Sequence, residues 1–143
     1  MPSHENWFVA ELELDNKPLI LRGRKNLSGA EAMNTHSKLI TITWNYDPDD
    51  ETGLPPTQLL PLMSAAEHVI FNALEKDDLC IFFAVSVHDG SKQWLAYTHN
   101  VDDAYDRLNE ALRDQEPYPL EFSAADDPSW EEYAELLENL GTK

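Results

Sequence analysis

The stretch Leu79–Val87, LCIFFAVSV, constrains the fold of this chain more than any other. It is nearly all apolar, which is typical of a central strand that is covered on both faces. After His88, the residues Asp89 and Gly90 predict a tight hairpin turn, and Lys92–His99 returns as a second strand. The rest of the chain must therefore supply elements that cover a buried antiparallel pair.

Periodicity places further elements before this pair. The segment Lys38–Tyr46 alternates between apolar and polar residues and predicts a strand, and residues 6–24 predict a hairpin around a turn at 15–17. Apolar residues at helical spacing continue from Leu59 to Leu74. This helix begins at Leu59 or at Pro61, since proline removes an intrahelical hydrogen bond unless it lies in the first turn.

The elements after the pair have clear start and stop signals. A helix is predicted to begin at a cap on Asn100, and a short edge strand at Tyr118–Phe122, which has prolines beside it. Asp127 is predicted to cap a last helix, with Pro128 at its first position.

The order of these elements predicts the fold class. Residues 38–124 follow the order βαββαβ, which is typical of a ferredoxin-like α+β plait. We expect the hairpin at 6–24 to extend the sheet, and the helix at 127–140 to pack on an edge or a face. The length of 143 residues fits a single domain over residues 1–143.

The chain is strongly acidic, with a formal net charge of −17. Nucleic-acid binding and binding to anionic membranes are not expected, because both need a basic surface. The charge is uneven: residues 1–38 carry five acidic and five basic residues, whereas residues 39–143 hold the whole excess. Such a charge commonly serves solubility alone, and that explanation stays open.

The acidic residues of two predicted helices form the candidate partner-binding surface. On the helix that follows Asn100, the acidic residues recur at i, i+4, where like charges repel each other. The full set is Asp102, Asp106, Glu110 and Asp114, followed by Glu131, Glu135 and Glu138 on the last helix. An acidic outer surface follows if the last helix lies close to the other two. We expect a non-enzymatic regulator or inhibitor that docks a basic, nuclease-like protein partner through this surface.

Residues for catalysis, metals or cofactors are not evident in the sequence. Cys80, the only cysteine, lies in the buried run and lacks a catalytic signature, and no histidine pair has the i, i+4 spacing of a metal site. We therefore predict no catalytic residues, no metal and no cofactor. The lone cysteine and the lack of a signal peptide at the N-terminus predict a cytoplasmic protein.

Two other functions stay open. The first is a small-ligand-binding domain or enzyme with a pocket between the sheet and the N-terminal hairpin, where Arg22, Arg24 and Lys25 would contact an anionic ligand. The second is an immunity protein for a bacterial toxin, which would use the acidic surface against a different basic partner. The oligomeric state is not predicted.

Several motifs resemble those of the bacterial domain-of-unknown-function family 695. They are the early WF strand, ITITWNY followed by GLPP, a helix that holds Glu67, the strand ending WLAY, and ADDPSWEEY near the C-terminus. The DP-x-W ending also resembles the regulator of ribonuclease E activity B family, whose members are small acidic ferredoxin-like proteins that restrain an RNA-degrading enzyme. The resemblance implies a fold and no functional residues. Packing of the last helix already explains the DP-x-W-x-x-Y element.

Overall fold

A computed structural model describes residues 7–24, 35–113, 115 and 118–139 of the chain. Six β-strands and three α-helices lie wholly within these residues. The strands are β1 (Trp7–Leu14), β2 (Lys17–Arg24), β3 (Lys38–Asn45), β4 (Cys80–His88), β5 (Ser91–Thr98) and β6 (Leu120–Asp126). The helices are α1 (Leu60–Leu74), α2 (Val101–Leu112) and α3 (Glu131–Asn139). The α+β class is confirmed.

The six strands form one antiparallel sheet in the order β1-β2-β4-β5-β3-β6. The predicted central pair, β4 and β5, lies in the middle of the sheet, and Gly90 turns their hairpin with a φ of 96°. Asp15 and Asn16 turn the β1–β2 hairpin with positive φ, which these two residue types tolerate better than most. This hairpin extends the sheet by pairing β2 with β4, as predicted.

Different helices cover the two faces of the sheet. The helices α1 and α2 pack together on one face, over a core that includes Ile42 and Phe82. The helix α3 packs on the other face, over Phe83 and Tyr97. Phe82 and Phe83 are neighbours in β4, so they point to opposite faces. A bulge between Phe82 and Ala84 adds the Phe83 ring to the core beneath α3. We call these the α1–α2 face and the α3 face.

The starts of α1 and α2 follow from their sequences. A single 3₁₀ turn over Thr57–Leu59 leads into α1, and Pro61 lies in the first turn, where proline needs no hydrogen-bond partner. The side-chain oxygen of Asn100 accepts a hydrogen bond from the backbone N–H of Asp103 at 3.0 Å, so the predicted cap of α2 is confirmed. None of the helices in the described part of the chain has the length and apolar character needed to cross a membrane.

The predicted start of the last helix is wrong. Pro128 lies in a turn and α3 begins at Glu131, because Trp130 takes a left-handed conformation with a φ of 53°. Asp127 still caps the helix from across this turn. Its carboxylate accepts hydrogen bonds from the backbone N–H groups of Glu131 at 2.8 Å and Glu132 at 3.0 Å.

The DP-x-W-x-x-Y element anchors α3 on the sheet, as its packing explanation predicts. The Trp130 ring stacks on the Tyr97 ring with centroids 4.5 Å apart, and its indole N–H donates to the carbonyl of His36 at 2.7 Å. The Tyr133 hydroxyl donates to the carbonyl of Arg24 at 2.7 Å. Both side chains are buried, so this motif is accounted for by the fold.

Candidate functional site

A cleft opens on the α1–α2 face, between α1 and the strands β1, β2, β4 and β5. Its volume is about 330 Å³. Its lining is formed by Val9, Ile20, Arg22, Leu60, Ser64, Glu67, Val85, Val87 and Lys92. We call it the Glu67 cleft. Five of these residues are apolar, one is Ser64, and the three charged side chains are concentrated at one place.

Register explains why three charged residues meet there. Arg22 is paired with Val85, and Lys92 with Val87, so both side chains lie on the α1–α2 face with these valines. Glu67 follows the buried Ala66 on α1 and stands at the side of the helix stripe that faces the sheet. The cleft therefore forms where the flank of α1 lies over β2, β4 and β5.

The contacts of the three side chains converge on one carboxylate oxygen, Glu67 Oε1. The Arg22 guanidinium donates a hydrogen bond to it and forms an ion pair. The indole N–H of Trp94 donates to the same atom at 2.9 Å. The Lys92 ammonium lies 3.7 Å from it, farther than an ordinary hydrogen bond. The side chains of Glu67 and Lys92 are only 19% and 14% exposed.

This arrangement changes the ionisation of both partly buried groups. Burial opposes ionisation of Glu67, but the hydrogen bond and charge of Arg22, with help from Trp94 and Lys92, hold the pKa of its carboxyl below the usual range. Burial lowers the pKa of Lys92, although the Glu67 carboxylate acts in the opposite direction. With all three groups ionised, the site carries one net positive charge inside a chain of −17.

A partly buried site of this kind is suited to an anion. The low local dielectric strengthens the attraction of both cations for a ligand that reaches them. The apolar lining offers contacts to the remainder of such a ligand. Within the described residues, no group of three or more His, Cys, Asp or Glu side chains is placed to hold a metal ion.

The sequence hypothesis named Arg22, Arg24 and Lys25 for an anionic ligand. Arg22 lines the cleft. Arg24 is buried beside it, donates to the carbonyl of Phe82 at 3.2 Å and lies over the Trp7 ring, so it does not line the cleft. Lys25 lies outside the described residues. The sequence analysis missed Lys92, although alternation along β5 places it on the same face as the buried Trp94.

The predicted acidic surface is divided between the two faces of the molecule. The exposed residues Asp102, Asp106 and Glu110 lie on α2. Asp114 lies outside the described residues. The exposed carboxylates of α3, namely those of Glu131, Glu135 and Glu138, lie beyond the opposite face of the sheet. The condition for one continuous acidic surface is therefore not met, and the role of these residues in partner binding stays a prediction.

Cys80 is 2% exposed, and burial raises the pKa of its thiol to about 11. A thiol that is so rarely ionised is a poor nucleophile, which agrees with its interpretation as a core residue.

Comparison with known proteins gives a family and no function. No curated protein matches the chain. The distant likeness to the regulator of ribonuclease E activity B family stays a prediction. A family model described as a family of unknown function, DUF695, matches residues 5–138, which is nearly the whole chain. The chain therefore belongs to this family of unknown function, DUF695.

Proposed function

We propose that this protein is a binding domain that holds a small anionic ligand in the Glu67 cleft. The observation that carries the proposal is the convergence of Arg22, Lys92 and Glu67 at an apolar cleft, with one net positive charge. This function was the second of the sequence hypotheses. It comes first here because the cleft joins convergent polar groups to an apolar lining, the usual composition of a ligand site.

The strong overall acidity does not prevent anion binding at this place. The cations of the cleft would act on a ligand at contact distance and in a partly buried setting, where the effective dielectric is low. The exposed carboxylates elsewhere act through water and are screened beyond about 8 Å at physiological ionic strength. The local charge therefore outweighs the net charge for a ligand that enters the cleft.

The test is calorimetric titration of the protein at low ionic strength with acetate, inorganic phosphate and hexanoate in separate runs. We expect at least one of these anions to bind, and the variant Lys92→Met to weaken that binding at least tenfold. The control Lys38→Met removes an exposed lysine that pairs with Asp126 and should leave the affinity unchanged. Absence of binding by all three anions, or equal binding by Lys92→Met, would refute the proposal.

A second candidate function is docking of a basic protein on α2, and one observation favours it. Tyr105 is 50% exposed and lies among the carboxylates of Asp102, Asp106 and Glu110. Its ring meets the Phe122 ring edge-on, with the ring centroids 5.2 Å apart. Exposed tyrosines held in place by a neighbour are frequent anchors of protein interfaces. A nuclease or a toxin would be a partner of suitable charge.

The docking function is tested by a pull-down from the native lysate at low and at high salt. The double variant Asp106→Lys, Glu110→Lys should lose a partner that wild type captures at low salt. The matched control Glu131→Lys, Glu135→Lys reverses two charges on the opposite face and should keep it. Capture that is equal for wild type and the α2 variant would exclude α2 as the docking surface.

We also propose that residues 38–124 form a ferredoxin-like plait in a cytoplasmic protein. The order β6-β3-β5-β4, with all neighbours antiparallel and with α1 and α2 on one face, supports the plait. The buried thiol of the single cysteine agrees with a reducing compartment.

A further inference from the structure

We propose that the ligand of the Glu67 cleft is an amphiphilic monocarboxylate, whose carboxylate lies between Lys92 and Arg22 and whose aliphatic chain lies along Val9, Ile20 and Leu60. This inference rests on the proposed function and specifies its ligand. Three features of the cleft carry it: the long ion pair of Lys92 with Glu67, the charge balance around Glu67, and the exposed apolar side chains at the rim.

The Lys92 side chain is largely buried in the cleft, and its ammonium is held only loosely by Glu67. Its side chain is 14% exposed, and the nearest carboxylate oxygen is 3.7 Å away. The ammonium also lies over the Trp94 ring, 5.2 Å from the ring centroid, in a cation–π contact. An ammonium has three N–H donors, and a carboxylate that enters the cleft would accept from them at shorter range than Glu67 does.

Arg22 offers the second contact for the same carboxylate. Its Nη2 atom bonds Glu67 Oε1, which leaves other N–H groups of the guanidinium for a ligand. Its side chain is 37% exposed and lines the cleft beside Lys92. A guanidinium and an ammonium on two adjoining sides can hold one carboxylate through charge-assisted hydrogen bonds.

Glu67 limits the charge of the ligand. Its carboxylate is held by Arg22 and Trp94 and compensates one of the two cations. One negative charge on the ligand would neutralise the site, whereas a second would be repelled by Glu67 at close range. The cleft should therefore prefer a carboxylate to a phosphate dianion, although phosphate carries more charge.

The apolar wall determines what lies behind the carboxylate. Val9 and Leu60 are 69% and 49% exposed, and both line the cleft with Ile20, so exposed apolar surface is grouped at this place. The volume of about 330 Å³ lies at the lower end of the range for small-molecule sites, roughly 300–1,000 Å³, which suits a short-chain amphiphile. Octanoate has this size, and its chain would cover the exposed apolar residues.

The test is calorimetric titration of the full chain with butyrate, hexanoate, octanoate, hexyl phosphate and hexylamine. We expect affinity to rise about fourfold for each added methylene, so that octanoate binds roughly fifteenfold more tightly than hexanoate. Lys92→Met should lose binding at least tenfold, whereas Lys92→Arg keeps the charge and should retain most of it. Melting temperatures of both variants check that the fold is intact.

A second variant keeps the test decisive if Lys92→Met fails to fold. Val9→Thr changes an exposed strand residue of similar shape and should weaken octanoate severalfold while leaving butyrate unchanged. Tighter Lys92-dependent binding of hexyl phosphate than of hexanoate would overturn the monocarboxylate and leave the proposed function standing. Binding of hexylamine as tight as that of hexanoate, or absence of binding by every anion, would overturn both.

Discussion

Glu67 is the residue on which the candidate site depends. It lies on the side of α1 that faces the sheet, and its Oε1 atom accepts hydrogen bonds from Arg22 and Trp94. The sequence indicates that this carboxylate flanks a buried stripe, since Met63, Ala66 and Ile70 are spaced around it. It does not indicate the partners, because the helix register over the sheet brings together residues that are far apart in the chain.

The pH dependence of stability tests this residue. The pKa of Glu67 is lowered in the folded protein, so its stabilising contribution is present above the unfolded value near 4.5 and is lost as the pH falls through the folded value. We expect Glu67→Gln to reduce the free energy of unfolding at pH 7 by about 1.5–3 kcal/mol, typical of hydrogen bonds to a charged group. The loss should shrink toward pH 3 in denaturant titrations.

The exposed Glu110 provides the control for this measurement. Glu110→Gln should change the free energy of unfolding by no more than about 0.5 kcal/mol at any pH, as is usual for surface substitutions. A Glu67→Gln loss that is equally large at pH 3 would mean that packing, and not the charge of the carboxylate, stabilises the cleft.

Cys80 gives a second prediction at this scale. Because the pKa of its thiol is raised to about 11, only about one molecule in a thousand carries the thiolate at pH 8. We expect a thiol-specific chromogenic reagent to modify Cys80 at the rate of protein unfolding, and rapidly in denaturant. Modification of the native protein as fast as of a small free thiol would contradict the burial of this residue.

At the scale of elements, Asp127 connects the start of α3 to the sheet. Asp127 accepts two backbone hydrogen bonds from α3 and one from the Tyr97 hydroxyl at 2.7 Å. Partial burial opposes ionisation of Asp127, but these hydrogen bonds hold the pKa of its carboxyl below the usual range. One carboxylate thus links the start of the helix to β5.

The variant Asp127→Ala tests this link. It removes the cap and leaves the buried Tyr97 hydroxyl without its acceptor, so we expect a loss of about 1–2 kcal/mol in the free energy of unfolding by urea. Asp126→Ala is the matched control, since the Asp126 side chain is 76% exposed and its ion pair with Lys38 lies at the surface. It should cost less than about 1 kcal/mol. Equal losses in the two variants would argue against the cap.

At the scale of the whole molecule, local signals in the sequence predicted most elements but not how they combine. The apolar run at β4, the alternation of β3 and the turn residues Asp15 and Asn16 act through neighbours in sequence, so they could be read directly. The left-handed Trp130 could not be predicted, because its conformation is stabilised by stacking on Tyr97. Whether the last helix packs on an edge or on a face of the sheet could not be predicted either, because that packing also depends on residues far away in the chain.

The candidate site depends on the same long-range order. The pairing of β2 with β4, and of β4 with β5, brings Arg22 and Lys92 beneath α1. Alternation alone assigns Lys92 and Trp94 to one face of β5, but the sequence does not say that Glu67 lies above them. The sequence hypothesis therefore named one of the two cations, Arg22, and missed the other. Its location for the pocket, between the sheet and the N-terminal hairpin, is wrong, because the hairpin is part of the sheet and the cleft lies beneath α1.

The central claim is that an anion binds in the Glu67 cleft, and amide chemical shifts of the ¹⁵N-labelled protein test it most directly. The protein would be titrated at low ionic strength with octanoate and, separately, with inorganic phosphate. We predict saturable shifts at the amides of the cleft, around Arg22, Glu67 and Lys92, that disappear in Lys92→Met. Shifts confined to α2 or α3, or none with either anion, would contradict the claim.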